Sequence, residues 1–512
     1  MIKYCFLSVL LLTGCQQSTR SVISQQQVIP GELPDPSVIE VNGVYYATGS
    51  SNDWAPVYPI YKSTDLIHWS FVSYLFDTPP DWTVSSYWAP ELFYHNGMFY
   101  CYYTARNKEG VSCIGVATAT SLEEGFQDHG PLIEWGSEAI DAFVYKEEGT
   151  LFITWKAYGL DPDKPIQILG SKLSKDGLSL TGEGFNLLTA EINNWERGGI
   201  EGQCIVEHDG YLYLFYSGNA CCGKDCDYQV GVARAKKMEG PWEKFKQNPI
   251  LASNSHWKCP GHGTAVESGG QWYYLYHAYH ENGFPNLGRS TLLSQISWNT
   301  DSGWPAFSID SIKPDPTVMH TNFKDEFDAP LLVRQWLHPL PKASFSATLE
   351  NSTLILRDEE GNGNRNEKGS PAGTMLGIVP ESADFTVETT VNNQNEALKG
   401  LTLYVTAQNS LGFGIQNDSL VAWKVKDGHF NPLKTQYLDH QGPVRLKATV
   451  KNASEVSLHF SIDGSNWSDF TVLTADNLAW WSWGMRVGVA VMPTTSRDQT
   501  QAVFDRFEVI YK

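Results

Sequence analysis

One pattern repeats five times between Asp35 and Tyr279, and it constrains the fold more than any other feature of the sequence. Each copy has a polar or acidic residue, an apolar stretch, a glycine turn and a strand rich in aromatic residues. The turn glycines, separated by 54, 52, 61 and 60 residues, are Gly43, Gly97, Gly149, Gly210 and Gly270. Repeats of this length with three or four strands are typical of β-propeller blades, which stack around a channel. The sequence therefore predicts a five-bladed β-propeller, with an irregular β-sandwich as the competing fold.

The composition agrees with an all-β protein and argues against one class of partner. Of the 512 residues, 13% are aromatic, 44 are Gly and 26 are Pro, which suits short strands joined by tight turns. The formal net charge is −20. Because phosphate binding needs clustered Lys and Arg, no nucleic-acid partner is expected.

The N-terminus is predicted to be an export signal. Residues 1–15 contain one Lys and a short apolar run, far below the roughly 20 apolar residues that span a bilayer. Leu12 to Cys15 resembles the bacterial lipobox, in which the Cys is lipidated and becomes the mature N-terminus. An ordinary signal peptide with an incidental Cys is the alternative. With a polar tether over residues 16–29, the sequence predicts an exported lipoprotein, anchored to a membrane in the periplasm or at the outer-membrane surface.

Seven of the nine cysteines follow the export signal. An odd number leaves at least one thiol free if the others pair. Cys101 and Cys113 flank a turn, so they are expected to be able to face each other across a hairpin. Three more lie together in one segment, at Cys221, Cys222 and Cys226. A loop disulfide or buried thiols are favoured there over a zinc site, which lacks a second ligand pair at the usual spacing.

The first position of each repeat indicates the function. In a propeller the first strand of each blade lines the central channel. Alignment on the turn glycines places Asp35, Asp141 and His262 at equivalent inner positions, with Glu201 one residue away. Buried carboxylates are costly unless they serve a metal, hydrogen bonds or chemistry. Converging acids beside aromatic residues are what cleavage of a glycosidic bond requires.

Five short motifs carry a family resemblance. They are LPDPSVI (Leu33 to Ile39), YWAPELF (Tyr87 to Phe93), AIDAFVY (Ala139 to Tyr145), GIEGQCI (Gly199 to Ile205) and PGHGTAV (Pro260 to Val266). In this order and spacing they resemble glycoside hydrolase family 43. The resemblance implies a five-bladed catalytic propeller, here over residues 30–312, that acts mainly on arabinose- and xylose-containing polysaccharides and inverts the anomeric centre. It implies no required cofactor.

The resemblance also implies a role for each carboxylate. Asp35 would be the general base that activates water, and Glu201 the general acid that protonates the leaving oxygen. Asp141 would raise the pKa of the acid and orient it, because a nearby carboxylate disfavours ionisation. An inverting pair is expected to lie about 6.5–9.5 Å apart. Gln203 departs from the family pattern, in which Pro more often follows Glu-Gly.

Four further residues have implied roles in binding. Arg289 matches a position that contacts the sugar, with a surface Arg in a strand as the alternative. His262 matches a channel His that helps to hold a calcium or another ion, with a hydrogen-bonded core His as the alternative. Trp88 and Trp54 are candidates for stacking on sugar faces. The alternatives are core packing for Trp88 and a simple loop position for Trp54.

The C-terminal part changes character after the fifth repeat. Residues 313–324 form a predicted linker, and residues 325–512 alternate with period two, which predicts a β-sandwich. This region resembles the concanavalin-like sandwich of many family 43 xylosidases and arabinofuranosidases, which implies a partly closed pocket and exo action. A free carbohydrate-binding module is the alternative. Three tryptophans could form a sugar platform or merely pack, namely Trp480, Trp481 and Trp483.

The leading hypothesis is an inverting exo-glycosidase acting on plant cell-wall polysaccharides and held at the membrane by its lipid anchor. It would remove terminal α-L-arabinofuranosyl residues, with β-D-xylosyl residues as the second choice. One alternative is a hydrolase of the same fold that acts on galactofuranosides or galactosides. The other is a non-catalytic surface propeller that only binds glycan, against which all three carboxylates are present.

Overall fold

The computed structural model describes residues 23–282, 284, 286–308, 320–340, 345–359, 372–392, 394–476, 478, 483–492 and 501–511. Within these ranges the chain forms strands and turns and no helix, so the predicted all-β class is confirmed. The same part of the chain accordingly contains no helix long and apolar enough to cross a membrane.

Four complete blades each contain four antiparallel strands that follow one another outward from the channel. Blade one contains β2 (Ser37–Val41), β3 (Val44–Thr48), β5 (Val57–Ser63) and β6 (Ser70–Phe76). Blade two contains β7 (Thr83–His95), β8 (Met98–Asn107), β9 (Ser112–Ala119) and β10 (Gln127–Ile133). Blade three contains β11 (Ala139–Glu147), β12 (Thr150–Ala157), β13 (Gln167–Lys172) and β14 (Phe185–Thr189). Blade four contains β15 (Ile200–His208), β16 (Tyr211–Gly218), β17 (Gln229–Ala235) and β18 (Glu243–Lys244).

The fifth blade closes the ring with a strand from the other end of the domain. It contains β19 (Trp257–Ser268), β20 (Gln271–His280), β21 (Arg289–Trp298) and β22 (Pro305–Phe307), and its outer edge is β1 (Gln26–Glu32). The inner strands contact one another in the cyclic order β2, β7, β11, β15, β19 and again β2. The tether predicted for residues 16–29 is therefore wrong at its end. Val28 and Ile29 are buried beside Leu293, so this segment is held by the blade.

The five turn glycines have the geometry that the repeat predicted. Each is the second residue of a two-residue hairpin turn, and both turn residues have positive φ, as type I′ turns require. The turn pairs are Asn42-Gly43, Asn96-Gly97, Glu148-Gly149, Asp209-Gly210 and Gly269-Gly270. The predicted turns are confirmed, and each joins the inner strand of a blade to its neighbour.

The C-terminal domain is a sandwich of two antiparallel sheets. The larger sheet contains β23 (Phe323–Asp325), β25 (Phe345–Glu350), β26 (Thr353–Asp358), β28 (Phe385–Val391), β33 (Val444–Lys451), β34 (Glu455–Ser461), β35 (Ser468–Thr474) and β37 (Gln501–Tyr511). The other sheet contains β27 (Thr374–Ile378), β29 (Lys399–Thr406), β30 (Asn409–Gln416), β31 (Ser419–Lys426), β32 (His429–Tyr437) and β36 (Arg486–Val491). A large apolar cluster lies between them and includes Leu354, Phe385, Leu446 and Phe504.

The two domains are joined by strand pairing and by buried polar contacts. The propeller strand β4 (Trp54–Ala55) pairs with β24 (His338–Pro339), which lies between the sandwich strands β23 and β25 in the sequence. Asn286, beside the last long strand of blade five, donates from its side chain to the carbonyl of Ala453 at 2.8 Å. The sandwich therefore lies against the loop that leads to Arg289.

Two disulfides occur in the described chain, and neither joins the pair considered for the hairpin. The register places Cys101 opposite Ala117, four positions along from Cys113, so this pairing is wrong and both thiols are buried and free. The loop cluster forms disulfides, as favoured over zinc: Cys221–Cys222 and Cys226–Cys259. The second of these links the β16–β17 loop of blade four to β19 of blade five.

Candidate active site

The five inner positions of the repeat share one backbone conformation. Asp35, Ala89, Asp141, Gly202 and His262 all have positive φ, between 39° and 60°. Non-glycine residues rarely adopt this region, and such strain concentrates at functional sites. The alignment made on the turn glycines therefore identified equivalent positions, and their common conformation turns each residue toward the channel mouth.

The strained positions are held by side chains from the second strand of the preceding blade. The backbone N–H of Asp35 donates to His277 Nδ1 at 3.0 Å, and the N–H of Asp141 donates to Thr104 Oγ1 at 3.1 Å. In the same way the N–H of His262 donates to Ser217 Oγ at 2.8 Å. Each blade thus positions the functional residue of the next, and this circular dependence requires the closed ring.

Asp35 is enclosed by donors and remains ionised. Its Oδ1 accepts from Arg289 Nη1 at 2.8 Å, and its Oδ2 accepts from Ser50 Oγ at 2.6 Å. Burial alone would raise the pKa of this carboxyl, but Arg289, with help from His262 and His277, holds it well below the ordinary value. An ionised, oriented carboxylate is suited to accept a proton from water.

The charges of Asp141 and Glu201 act on each other, and the pKa values of the two carboxyls are shifted in opposite directions. Burial, and then the charge of Glu201, raise the pKa of Asp141 to about 7. Its Oδ2 accepts the backbone N–H of Gly202 at 3.0 Å. Burial would also raise the pKa of Glu201, but the Lys156 ammonium at 2.7 Å reverses the direction and lowers it. Burial therefore favours the neutral form of Asp141, whereas Lys156 favours the charged form of Glu201.

His262 faces the carboxylates directly. Its Nδ1 lies 3.5 Å from Asp35 Oδ1 and 3.7 Å from Asp141 Oδ2. Among the residues that the structure describes, no group of three or more His, Cys, Asp or Glu side chains is arranged to hold a metal ion. The neighbours of His262 suit a charge and hydrogen-bond partner better than a calcium ligand set, and the ion in the channel stays a prediction from the sequence.

The other predicted binding residues lie in three different environments. Arg289 is 3% exposed and ion-paired to Asp35, so the alternative of a surface Arg is wrong. Trp88 is half-buried on β7, one residue before Ala89, at the mouth. Trp54 is 2% exposed and packs edge-on against Tyr404 of the sandwich at 5.4 Å. The prediction that Trp54 stacks on a sugar is therefore wrong, because the domain interface covers its ring.

Two of the three sandwich tryptophans, Trp480 and Trp481, lie outside the described residues, as does Cys15. The third, Trp483, packs against the sandwich core, which agrees with the packing role that was the alternative to a sugar platform.

Sequence reasoning missed four residues of the site: Ser50, Lys156, Tyr228 and His277. Ser50, Lys156 and His277 each lie seven residues after the turn glycine of their repeat, at the position that supports the next blade. Extending the repeat alignment to this position would have found them. Lys156 and Tyr228 both contact Glu201, at 2.7 and 2.9 Å. No spacing in the sequence signals that Tyr228 meets Glu201.

Comparison with known proteins agrees with this geometry. Residues 24–305 match the family described as Glycosyl hydrolases family 43, and residues 324–510 match the Beta xylosidase C-terminal Concanavalin A-like domain. A xylan beta-1,4-xylosidase from Bacillus halodurans C-125 has the same fold, with a TM-score of 0.81 and 23% identity over 95% of this chain and all of that one. The predicted five-bladed propeller followed by a β-sandwich is confirmed.

Curated relatives differ in their activities. An extracellular endo-alpha-(1->5)-L-arabinanase of Bacillus subtilis is 29% identical over 54% of this chain and 87% of its own length. A non-reducing end alpha-L-arabinofuranosidase of Bacteroides ovatus is 26% identical over 66% of this chain, and a xylan 1,3-beta-xylosidase of a Vibrio species is 25% identical over 65%. The chain spans 65% and 64% of the lengths of the latter two relatives. The family match covers more than half of this sequence, and the chain belongs to glycoside hydrolase family 43.

Proposed function

We propose that the protein is an inverting exo-glycosidase that removes terminal α-L-arabinofuranosyl residues from plant cell-wall polysaccharides, with terminal β-D-xylosyl residues as the second candidate. The observation that carries this proposal is the convergence of Asp35, Asp141 and Glu201 from three blades beside Arg289 and His262. Relatives named for arabinofuranosides and for xylosides support both sugars. The sandwich, packed beside the loop that leads to Arg289, supports a pocket restricted to chain ends.

In the proposed reaction, a water molecule attacks the anomeric carbon from one side and the sugar–oxygen bond breaks on the other. Asp35 accepts the proton that the water loses, because Arg289 keeps the carboxyl ionised. Glu201 acts in the fraction of the enzyme in which its carboxyl is protonated, and gives that proton to the departing oxygen. Attack opposite the leaving group inverts the anomeric centre. At the end Asp35 is protonated and Glu201 is ionised, and exchange with solvent restores both groups.

The first test compares two substrates and reads the stereochemistry. The detergent-solubilised full chain is incubated with an aryl α-L-arabinofuranoside and an aryl β-D-xyloside, and proton NMR follows the newly released sugar. We expect faster release of arabinose, with the inverted anomer formed first. Release of the retained anomer would contradict the inverting mechanism. If neither sugar is released by folded protein, the galactofuranoside and galactoside substrates, and then the glycan-binding alternative, become the better hypotheses.

The lipid anchor is a separate part of the proposal and has its own test. The Cys15→Ala variant is expected to move from the membrane to the soluble fraction, because a protein without the acylated cysteine loses its apolar anchor. Its kcat and KM on the aryl substrate should match those of the wild type. Cys5→Ala, which changes a cysteine within the predicted signal, is the matched control and should remain at the membrane. Membrane association of the Cys15 variant would contradict the lipobox interpretation.

A further inference from the structure

Lys156 is a buried cation beside the proposed general acid. It lies on β12 of blade three, and its side chain is 12% exposed. Its Nζ donates to Glu201 Oε2 at 2.7 Å and lies 3.6 Å from Glu138 Oε2. Burying an ammonium group is costly without such partners. The ion pair therefore joins the acid of blade four to a cation of blade three.

The second oxygen of Glu201 is also occupied. Tyr228 donates its hydroxyl to Oε1 at 2.9 Å, and its ring stacks on His277 with centroids 5.8 Å apart. The backbone of Gly261 approaches the same ring so closely that a Cβ there would lie 2.1 Å from it. Glu201 is thus held at both oxygens by groups that are themselves fixed.

We propose that Lys156 is a positioning residue for the general acid: it fixes the Glu201 carboxyl and favours its charged form, and so sets the alkaline limit of hydrolysis. This inference rests on the proposed function of Glu201. It assigns a role to a residue that neither touches the sugar nor transfers the proton in that reaction.

Charges around Glu201 explain the direction of the effect. Besides Lys156, the titratable groups that interact with Glu201 are Asp141, His262 and Tyr228, and Glu138 acts on Lys156. Burial favours a neutral Glu201, whereas the Lys156 ammonium favours the charged form and lowers the pKa. A general acid must be protonated when the leaving oxygen departs. The Lys156 ammonium therefore lowers the pH above which Glu201 can no longer act as an acid. The same contact holds the carboxyl in one position.

The test is the pH profile of kcat/KM on an aryl arabinofuranoside or xyloside with a poor leaving group. Removing the cation in Lys156→Met should move the alkaline limb of the profile to higher pH by about 1–3 units, which is the usual effect of one opposite charge at hydrogen-bonding distance. The kcat at the optimum should fall, because the carboxyl is no longer fixed. Lys156→Arg should keep the wild-type limb. An unmoved alkaline limb in the Met variant would overturn the proposal.

A paired variant guards against misfolding, because Lys156→Met leaves Glu138 buried without its cation. In Lys156→Met/Glu138→Gln both charges are removed and the shape is kept. The pH dependence of its urea midpoint gives a readout that needs no substrate. Without the cation the folded-state pKa of Glu201 rises above its unfolded value, so stability should fall more steeply than that of the wild type as pH rises from 5 to 8. Adding Glu201→Gln should abolish this difference.

These measurements distinguish a failure of the proposed glycosidase function from a failure of the role proposed for Lys156. If the wild type hydrolyses neither aryl glycoside, the proposed function fails, while the urea profiles still decide the role of Lys156. If the wild type is active and Glu201→Gln is not, but neither the limb nor the urea profile responds to Lys156, only the positioning role is overturned.

Discussion

The Asp35→Asn variant is expected to lose activity by about 100- to 10,000-fold in kcat, the usual contribution of a positioned general base. An amide at this position cannot accept the proton of the attacking water. The loss should be similar for good and poor leaving groups, because the base acts on water and not on the departing oxygen. Steady-state kinetics on a series of aryl glycosides measures it.

The substitution is suited to this test because Asn should fit the folded site. Asp35 has φ of 54°, a region that Asn tolerates better than most residues. The Asn oxygen can still accept from Arg289, which now lies beside Asp35 Oδ1. We therefore expect normal folding, as judged by circular dichroism and the urea midpoint. Near wild-type turnover by this variant would show that Asp35 is not the base.

Two comparison variants make the result specific. Glu201→Gln should also lose most activity, but it should recover on good leaving groups, which need less protonation. Glu91→Gln is the matched control, because it removes a buried carboxyl of blade two that accepts from Ser37 and has no role in the proposed reaction. Burial raises the pKa of Glu91 to about 8, so it is already neutral at pH 7. Its replacement should leave kcat unchanged.

The repeat made most of the propeller and its carboxylates predictable. Hairpin turns require particular residues at fixed positions, so the turn glycines mark every blade in the sequence. Aligning them was enough to identify Asp35, Asp141 and His262 as equivalent, which their shared positive φ reflects. Local conformational rules were therefore sufficient to predict those features that depend on a single blade.

The charges at contacts between blades could not be predicted in the same way. Lys156, which meets Glu201, lies seven residues after Gly149, at the position by which each blade supports the next, but the repeat does not specify a Lys there. That ion pair lowers the pKa of the acid, whereas a neighbouring carboxylate was expected to raise it. The first four residues of the strand Gln26–Glu32 fall within the predicted tether, although two of them, Val28 and Ile29, are buried. Its partner strand lies at the far end of the propeller sequence.

The burial of Trp54 was also inaccessible, because it depends on the second domain. Its ring is covered by Tyr404 and lies 5.2 Å from the guanidinium of Arg486. Seen in the propeller sequence alone, the same Trp lies in a loop near the mouth and resembles a sugar platform. The simple loop position given as the alternative is not found either, because Trp54 lies in β4, which pairs with β24.

The domain interface contains a buried ion pair whose loss should have the largest effect on stability. Arg486 donates to Glu32 Oε2 at 2.7 Å, and the backbone N–H of Gly484 donates to Oε1 at 2.9 Å. The two side chains are 4% and 0% exposed. Breaking such a pair from one side leaves an uncompensated buried charge, which costs about 3–5 kcal/mol.

Arg486→Met is therefore expected to lower the urea midpoint of the full chain and to expose the domain junction to limited proteolysis. Arg334→Met is the matched control, because it removes an Arg that also crosses to the propeller but pairs with Asp77 in an exposed position, with side chains 49% and 67% exposed. An exposed pair contributes at most about 1 kcal/mol. Equal losses in the two variants would contradict the assignment.

A double variant distinguishes a lost interaction from a lost shape. In Arg486→Met/Glu32→Gln the amide can still accept from Gly484, and no charge is left without its partner. We expect this variant to be more stable than Arg486→Met, because most of the cost in the single variant comes from the unpaired carboxylate. Glu32 lies three residues before Asp35, and Leu33 donates to the carbonyl of Arg289 at 3.0 Å. If Arg486→Met also lowers kcat and the double variant restores both kcat and stability, the interface also helps to hold Asp35 and the Arg289 guanidinium in place.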